Sequence, residues 1–237
     1  MSEYKLGIAE LDKVLGEAQG GSNIMLIGPA MCRKDALIYN ILYAGLTRGE
    51  SVILVTTEET GSGVLKWFKQ HELEINRERL GIVDCVSTSL GIRVSDTPNI
   101  KMAPSPLDIT GIGVKISQLL EQFQADRIRK TRLIVNSLST MLMYSNLQTV
   151  FRFLHVFTGR IKAAEALGVY VLEAGMHDDK TVATLKKLFD GAIEIKEEND
   201  KFSIRAMGLE AKATRWVGYD VDRTESMTQI TRSLNKV

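Results

Sequence analysis

The chain has 237 residues, enough for one large domain or two small ones, and its 44% hydrophobic and 25% charged content is ordinary for a soluble globular protein. A net charge of +1 gives no overall basic bias toward nucleic acid or an anionic membrane. No apolar run approaches the roughly 18–20 residues that span a bilayer, and the opening M-S-E-Y-K-L is unlike a secretory signal, so a cytoplasmic protein without membrane contact is expected.

The first strongly patterned segment is Ser22-Asn-Ile-Met-Leu-Ile-Gly28, which reads as a short buried strand. Gly28-Pro-Ala-Met-Cys-Arg-Lys-Asp35 follows, and then a helical pattern over 36–47 that places Leu37, Ile41 and Ala44 on one face. Strand, loop and helix are the setting of the phosphate-binding pattern G-x-x-x-x-G-K-[ST]. Gly28 and Lys34 match it, whereas Arg33 stands at the second glycine and Asp35 at the Ser/Thr. In a working loop, glycines let the backbone N–H groups curl around phosphates at a helix N-terminus. The lysine meets the terminal phosphates, and the hydroxyl is a neutral ligand to magnesium. A carboxylate at Asp35 repels phosphates unless a metal lies between them. Gly28, Arg33, Lys34 and Asp35 are therefore the candidate nucleotide-binding positions, in degenerate form.

The run 51–57 holds consecutive apolar residues between polar ones, as a strand buried on both faces does. Strand-like runs recur at 80–86, 132–136 and 169–172, and helical patterns lie near 62–71, 108–125, 147–167 and 180–188. The alternation predicts an α/β fold, a mostly parallel twisted sheet with helices on both faces. Beyond 191 the pattern changes to a C-terminal antiparallel meander over 192–196, 202–205 and 214–219. The stretch 91–106 contains three of the four prolines and reads as a long mobile loop. One domain over 1–221 and a polar tail over 222–237 are expected.

Cys32 and Cys85 have no metal-ligand spacing and form no disulfide framework. Cys32, beside Arg33 and Lys34, is either a thiol of lowered pKa or a buried filler, and the second is favoured. His71, His155 and His177 are too far apart in sequence to suggest a zinc cluster. The basic run 126–132 reads as a solvated helix-to-strand corner. Phe151, Phe153, Leu154 and Phe157 are assigned to the core. Trp67 and Phe68 are expected to pack a helix on the sheet, and Trp216 and Tyr219 to close the terminal hairpin.

Four segments carry a family resemblance. Leu6-Gly-Ile-Ala-Glu-Leu-Asp-Lys-Val-Leu15 is similar to "T-G-I-x-x-L-D-x-L-L", Thr56-Thr-Glu-Glu-Thr60 to "S-T-E-E-S", and Leu133-Ile-Val-Asn-Ser-Leu-Ser139 to "V-V-I-D-S-L-S". With the loop at Gly28–Asp35 they occur in the right order. The chain thus resembles the RecA-like ATPases of the KaiC type, and within them the archaeal KaiC-like proteins, from about residue 5 to about residue 219. The resemblance implies a RecA-like core. It places the general-base carboxylates at Glu58 and Glu59, and Asn136 where the magnesium-associated aspartate belongs. Its trans-acting "K-M-R-G" stretch falls on Arg205-Ala-Met-Gly208, where only Arg205 is a candidate.

Asp35 and Asn136 are the two altered metal positions. Either Asp35 is a relocated magnesium ligand, or it pairs with Arg33, Lys34 or the Asn136 amide and closes the site; the second is favoured. The expected function is a catalytically degenerate KaiC-like protein, a regulatory or assembly module without resident nucleotide or metal. Its expected partners are proteins, either further copies of itself or an active relative. An alternative is an unconventional ATP-binding protein or ATPase using Lys34, Asp35 and Glu58 or Glu59, with ATP and magnesium. A second alternative is a recombinase-paralogue-like DNA-associated protein. Arg93 and Lys101 are too few cations on the 91–106 loop for a phosphate track, so nucleic acid is not expected.

Overall fold

A computed structural model describes residues 2–199, 201–209 and 213–219. The chain begins with a short antiparallel pair, β1 (Glu3–Tyr4) and β2 (Ala18–Gln19), that brackets helix α1 (Ala9–Leu15). It continues through β3 (Asn23–Gly28), α2 (Lys34–Thr47), β4 (Ser51–Thr56), α3 (Gly61–Gln70), β5 (Leu80–Asp84) and β6 (Ile100–Met102). Then come α4 (Ile109–Ala125), β7 (Thr131–Asn136), α5 (Leu138–Tyr144), α6 (Leu147–Ala163), β8 (Leu167–Glu173) and α7 (Asp179–Lys186). The strands β9 (Gly191–Glu198), β10 (Lys201–Met207) and β11 (Val217–Tyr219) end the described chain.

A nine-stranded sheet runs in the order β11-β10-β9-β3-β8-β7-β4-β5-β6. From β9 to β6 every neighbour is parallel, while β10 and β11 fold back antiparallel as the meander pattern predicts. Successive side chains in a strand point to opposite faces, so two cores form. Ile24, Leu26, Val52, Leu54, Val169 and Val171 pack with α1, α2 and α3. Met25, Ile53, Val55, Leu133, Val135 and Tyr170 pack with α4, α5, α6 and α7. Phe153, Leu154 and Phe157 are buried in the second core, with Phe151 packed against it.

The structure departs from the sequence reading at several points. Helix α2 is buried at every position from Leu37 to Leu46 rather than on one face. The sheet covers one side. On the other, Gly7 presses against Ala44, and Tyr39 and Tyr43 meet Trp67 and Phe68 of α3. Gly7 has a φ of +86°, and a Cβ there would lie 2.3 Å from the Ala44 Cβ, so the L-G-I motif needs its glycine. Asp12 accepts the N–H groups of Leu6 and Gly7, both at 2.9 Å, which ties the motif to α1. The 91–106 stretch is not loop throughout, because 100–102 forms the edge strand β6. Arg132 is not part of a solvated corner. It is fully buried, and its guanidinium meets both Glu50 carboxylate oxygens and the Ile41 and Lys5 carbonyls. Trp216 presents its ring to Lys196 and Arg205. The Tyr219 side chain and the tail 222–237 lie outside the described residues.

Candidate functional site

The sheet order places the C-terminal ends of β3, β8, β7 and β4 side by side. In a parallel sheet such ends are where ligand-facing loops gather. Gly28, Glu173, Asn136 and the Thr56–Thr60 turn all lie along this edge.

Helices α3 to α7 begin with side-chain caps from Thr60, Asp108, Ser137, Asn146 and Asp178. Helix α2 has no side-chain cap. Its Ncap, Arg33, takes a left-handed conformation with φ 58° and ψ 31°. Met31 is also left-handed, with φ 60°. Arg33 stands where the phosphate pattern has its second glycine, so the backbone keeps a glycine-like bend without the glycine. Such conformations cost an L-residue about 1–2 kcal/mol each. Cys32, between them, turns inward and is fully buried, and its Sγ lies 2.8 Å from where a Cβ on Gly28 would be. Burial pushes its thiol above the usual range, against the pull of Lys34, so the filler reading of Cys32 fits.

Lys34 folds back into the protein. Its Nζ donates to the Pro29 carbonyl and to Glu173 Oε2, the latter at 2.8 Å. The lysine side chain is 8% exposed and that of Glu173 23%. Asp35 lies beside Asn136, whose Nδ2 donates to Asp35 Oδ1 at 3.4 Å. This is one of the pairings expected from the sequence. The Asn136–Ser137 peptide is cis. Thr57 stitches the strand ends together: its hydroxyl donates to the Asn136 carbonyl and accepts the Ser137 N–H.

The two glutamates separate. Glu58 Oε1 accepts from Ser137 Oγ at 2.9 Å and Thr140 Oγ1 at 3.4 Å. Surrounding protein raises its pKa above the usual carboxylate range, and the negative charges of Asp35 and Glu173 add to this, while the two hydroxyls oppose it. Glu59 turns away and accepts the Thr60 N–H and hydroxyl at the start of α3. A cavity of about 470 Å³ is lined by Glu58, Ser137, Thr140, Glu173, Ala30 and Met176, among others. Glu58 thus faces the cavity, whereas Glu59 borders a different one next to Tyr39 and Trp67.

Arg205 lies on β10, two strands from β3 in the sheet order, opposite Glu194, with which it pairs at 2.8 Å. The sequence reading missed Glu173, Ser137 and Thr140. The signal available for Glu173 was a charged residue closing the apolar run 169–172, at the end of a strand in a parallel sheet.

The family described as "Family of unknown function (DUF7504)" matches residues 21–195. No curated protein matches the chain. Among solved structures, the KaiC-like protein PH0186 from the hyperthermophilic archaeon Pyrococcus horikoshii OT3 matches with a TM-score of 0.65 and 13% identity, covering 93% of this chain and 95% of that one. At that identity the likeness is one of fold: the parallel sheet, its two helical layers and the antiparallel end are RecA-like.

Proposed function

We propose that this chain, which belongs to the DUF7504 family, uses its RecA-like fold as a regulatory or assembly module acting through protein contacts and not as an ATPase. The observation that carries this reading is the position of Lys34. The ammonium that a nucleotide would need is held by Glu173 and by the Pro29 carbonyl. A magnesium triphosphate asks for a lysine that reaches the terminal phosphates, a neutral hydroxyl on the metal, and a carboxylate at the central strand end. The chain offers a paired lysine, Asp35 in place of the hydroxyl, and Asn136 in place of the carboxylate. These residues do not fit that group.

Exposed side chains in the segments that follow these strands support the contact role. Met31, at 93% exposure, projects from the loop before α2; Met143 and Tyr144 end α5, and Met176 follows β8. Methionine adapts to irregular partner surfaces. The partner is a protein: a further copy of this chain or an active relative of the same fold. In this reading residues 1–221 act as one domain and 222–237 as an appended tail. One observation favours a second reading, in which ATP is still used: Glu58 lies on the cavity wall, held by Ser137 and Thr140 as a positioned base would be.

Phosphate release from ATP and magnesium separates the two. The wild-type chain is expected to release phosphate no faster than Lys34→Ala or Glu58→Gln. Turnover that is present in the wild type and lost in both variants would establish the ATPase reading instead.

A further inference from the structure

Glu173 is held in place from several directions. It is the register partner of Gly28 in the parallel pair β3–β8, so it lies beside the residue from which the loop starts. Its own N–H donates to Ser139 Oγ at 2.9 Å, and the N–H of Ala174 donates to the Gly28 carbonyl at 2.8 Å. The lysine it meets is nearly buried and has a second acceptor in its own loop. An exposed ion pair between two long side chains is held weakly. This pair joins a pinned strand end to a buried lysine, so it belongs to the architecture of the edge.

We propose that Glu173 is a resident anion in the phosphate subsite of the loop, and that it determines what the loop excludes: a di- or triphosphate gains Lys34 only when this carboxylate is neutralised or withdrawn. The inference rests on the reading of Gly28–Asp35 as a phosphate loop closed by its own residues. An ammonium has three donors, and Lys34 already directs them at the Pro29 carbonyl, Glu173 and, at 3.7 Å, Cys32 Sγ. An arriving phosphate must displace one of these acceptors. It must also approach Glu58 and Asp35, which add to the negative field at the same edge.

Calorimetric titration with inorganic pyrophosphate, without magnesium, tests the assignment on the wild-type chain, Glu173→Gln, and Lys34→Ala/Glu173→Gln. The glutamine keeps the shape and an acceptor oxygen but removes the charge. Glu173→Gln is expected to bind pyrophosphate at least about tenfold more tightly than the wild type, a difference of about 1.4 kcal/mol. The gain should vanish in the double variant. Glu173→Asp, whose shorter side chain withdraws the carboxylate, should shift affinity in the same direction, and it serves if thermal unfolding shows that the glutamine variant does not fold. Equal affinity, or no binding, in the wild type and the folded variants overturns the assignment, as does a gain that survives loss of Lys34. Such a flat result leaves the non-enzymatic reading intact, whereas ATP turnover by the wild type overturns that reading alone.

Discussion

Glu58 and Glu59 are adjacent in sequence, yet their carboxylates have opposite surroundings. Glu59 receives the first N–H of the turn into α3, and Glu58 meets two hydroxyls with Asp35 and Glu173 near enough to repel it. The raised pKa of Glu58 has a definite consequence for stability. The native state holds this proton more tightly than the unfolded chain, so stability is lost as pH rises from the ordinary carboxylate range through the raised value. Glu58→Gln removes that loss. Thermal unfolding should therefore show the variant gaining on the wild type as pH rises above the ordinary carboxylate range; a difference that does not change with pH would contradict it. At this scale the sequence was partly legible. Lys34, Asp35 and Asn136 could be read because a spaced motif marks them. The pairing of Glu173 with Lys34 could not, because the two are 139 residues apart and meet only through strand register.

Among the elements, α2 and β7 are joined by a group that the sequence hid. Arg132 ends a basic run and so looks solvated. Inside the fold it bonds Glu50, after α2, in a bidentate pair, and also reaches Ile41 of α2 and Lys5 near β1. Gly45 leaves room for it: a Cβ there would lie 3.0 Å from Arg132 Nε and 3.1 Å from Glu50 Oε2. Removing one partner of such a pair leaves an uncompensated buried charge, at a cost of about 3–5 kcal/mol. Arg132→Met should lose about that much in urea unfolding, and Arg132→Met/Glu50→Met should lose less. Equal losses in the two would contradict the cost assigned to the unpaired Glu50 carboxylate. Other elements escaped the sequence for related reasons. Helix α5 is only 138–144, too short for its period to stand out, and β6 is a three-residue edge strand among prolines. The long core strands were legible because burial on both faces makes them continuously apolar.

For the whole molecule, the sheet order matters most. It sets β3, β8, β7 and β4 next to one another, so residues from distant parts of the chain share one edge. The alternation of strands and helices was enough to give the α/β class and the parallel sheet. Strand order was not written locally, since it depends on which crossovers pack best, and so the meeting of Lys34 with Glu173 could not be read in advance. In the proposed function this edge is closed by its own side chains and the fold serves protein contacts. Calorimetric titration of the wild-type chain with ATP and magnesium should then give no saturable heat in the micromolar range; a saturable isotherm with a micromolar dissociation constant would show that the edge is open to nucleotide.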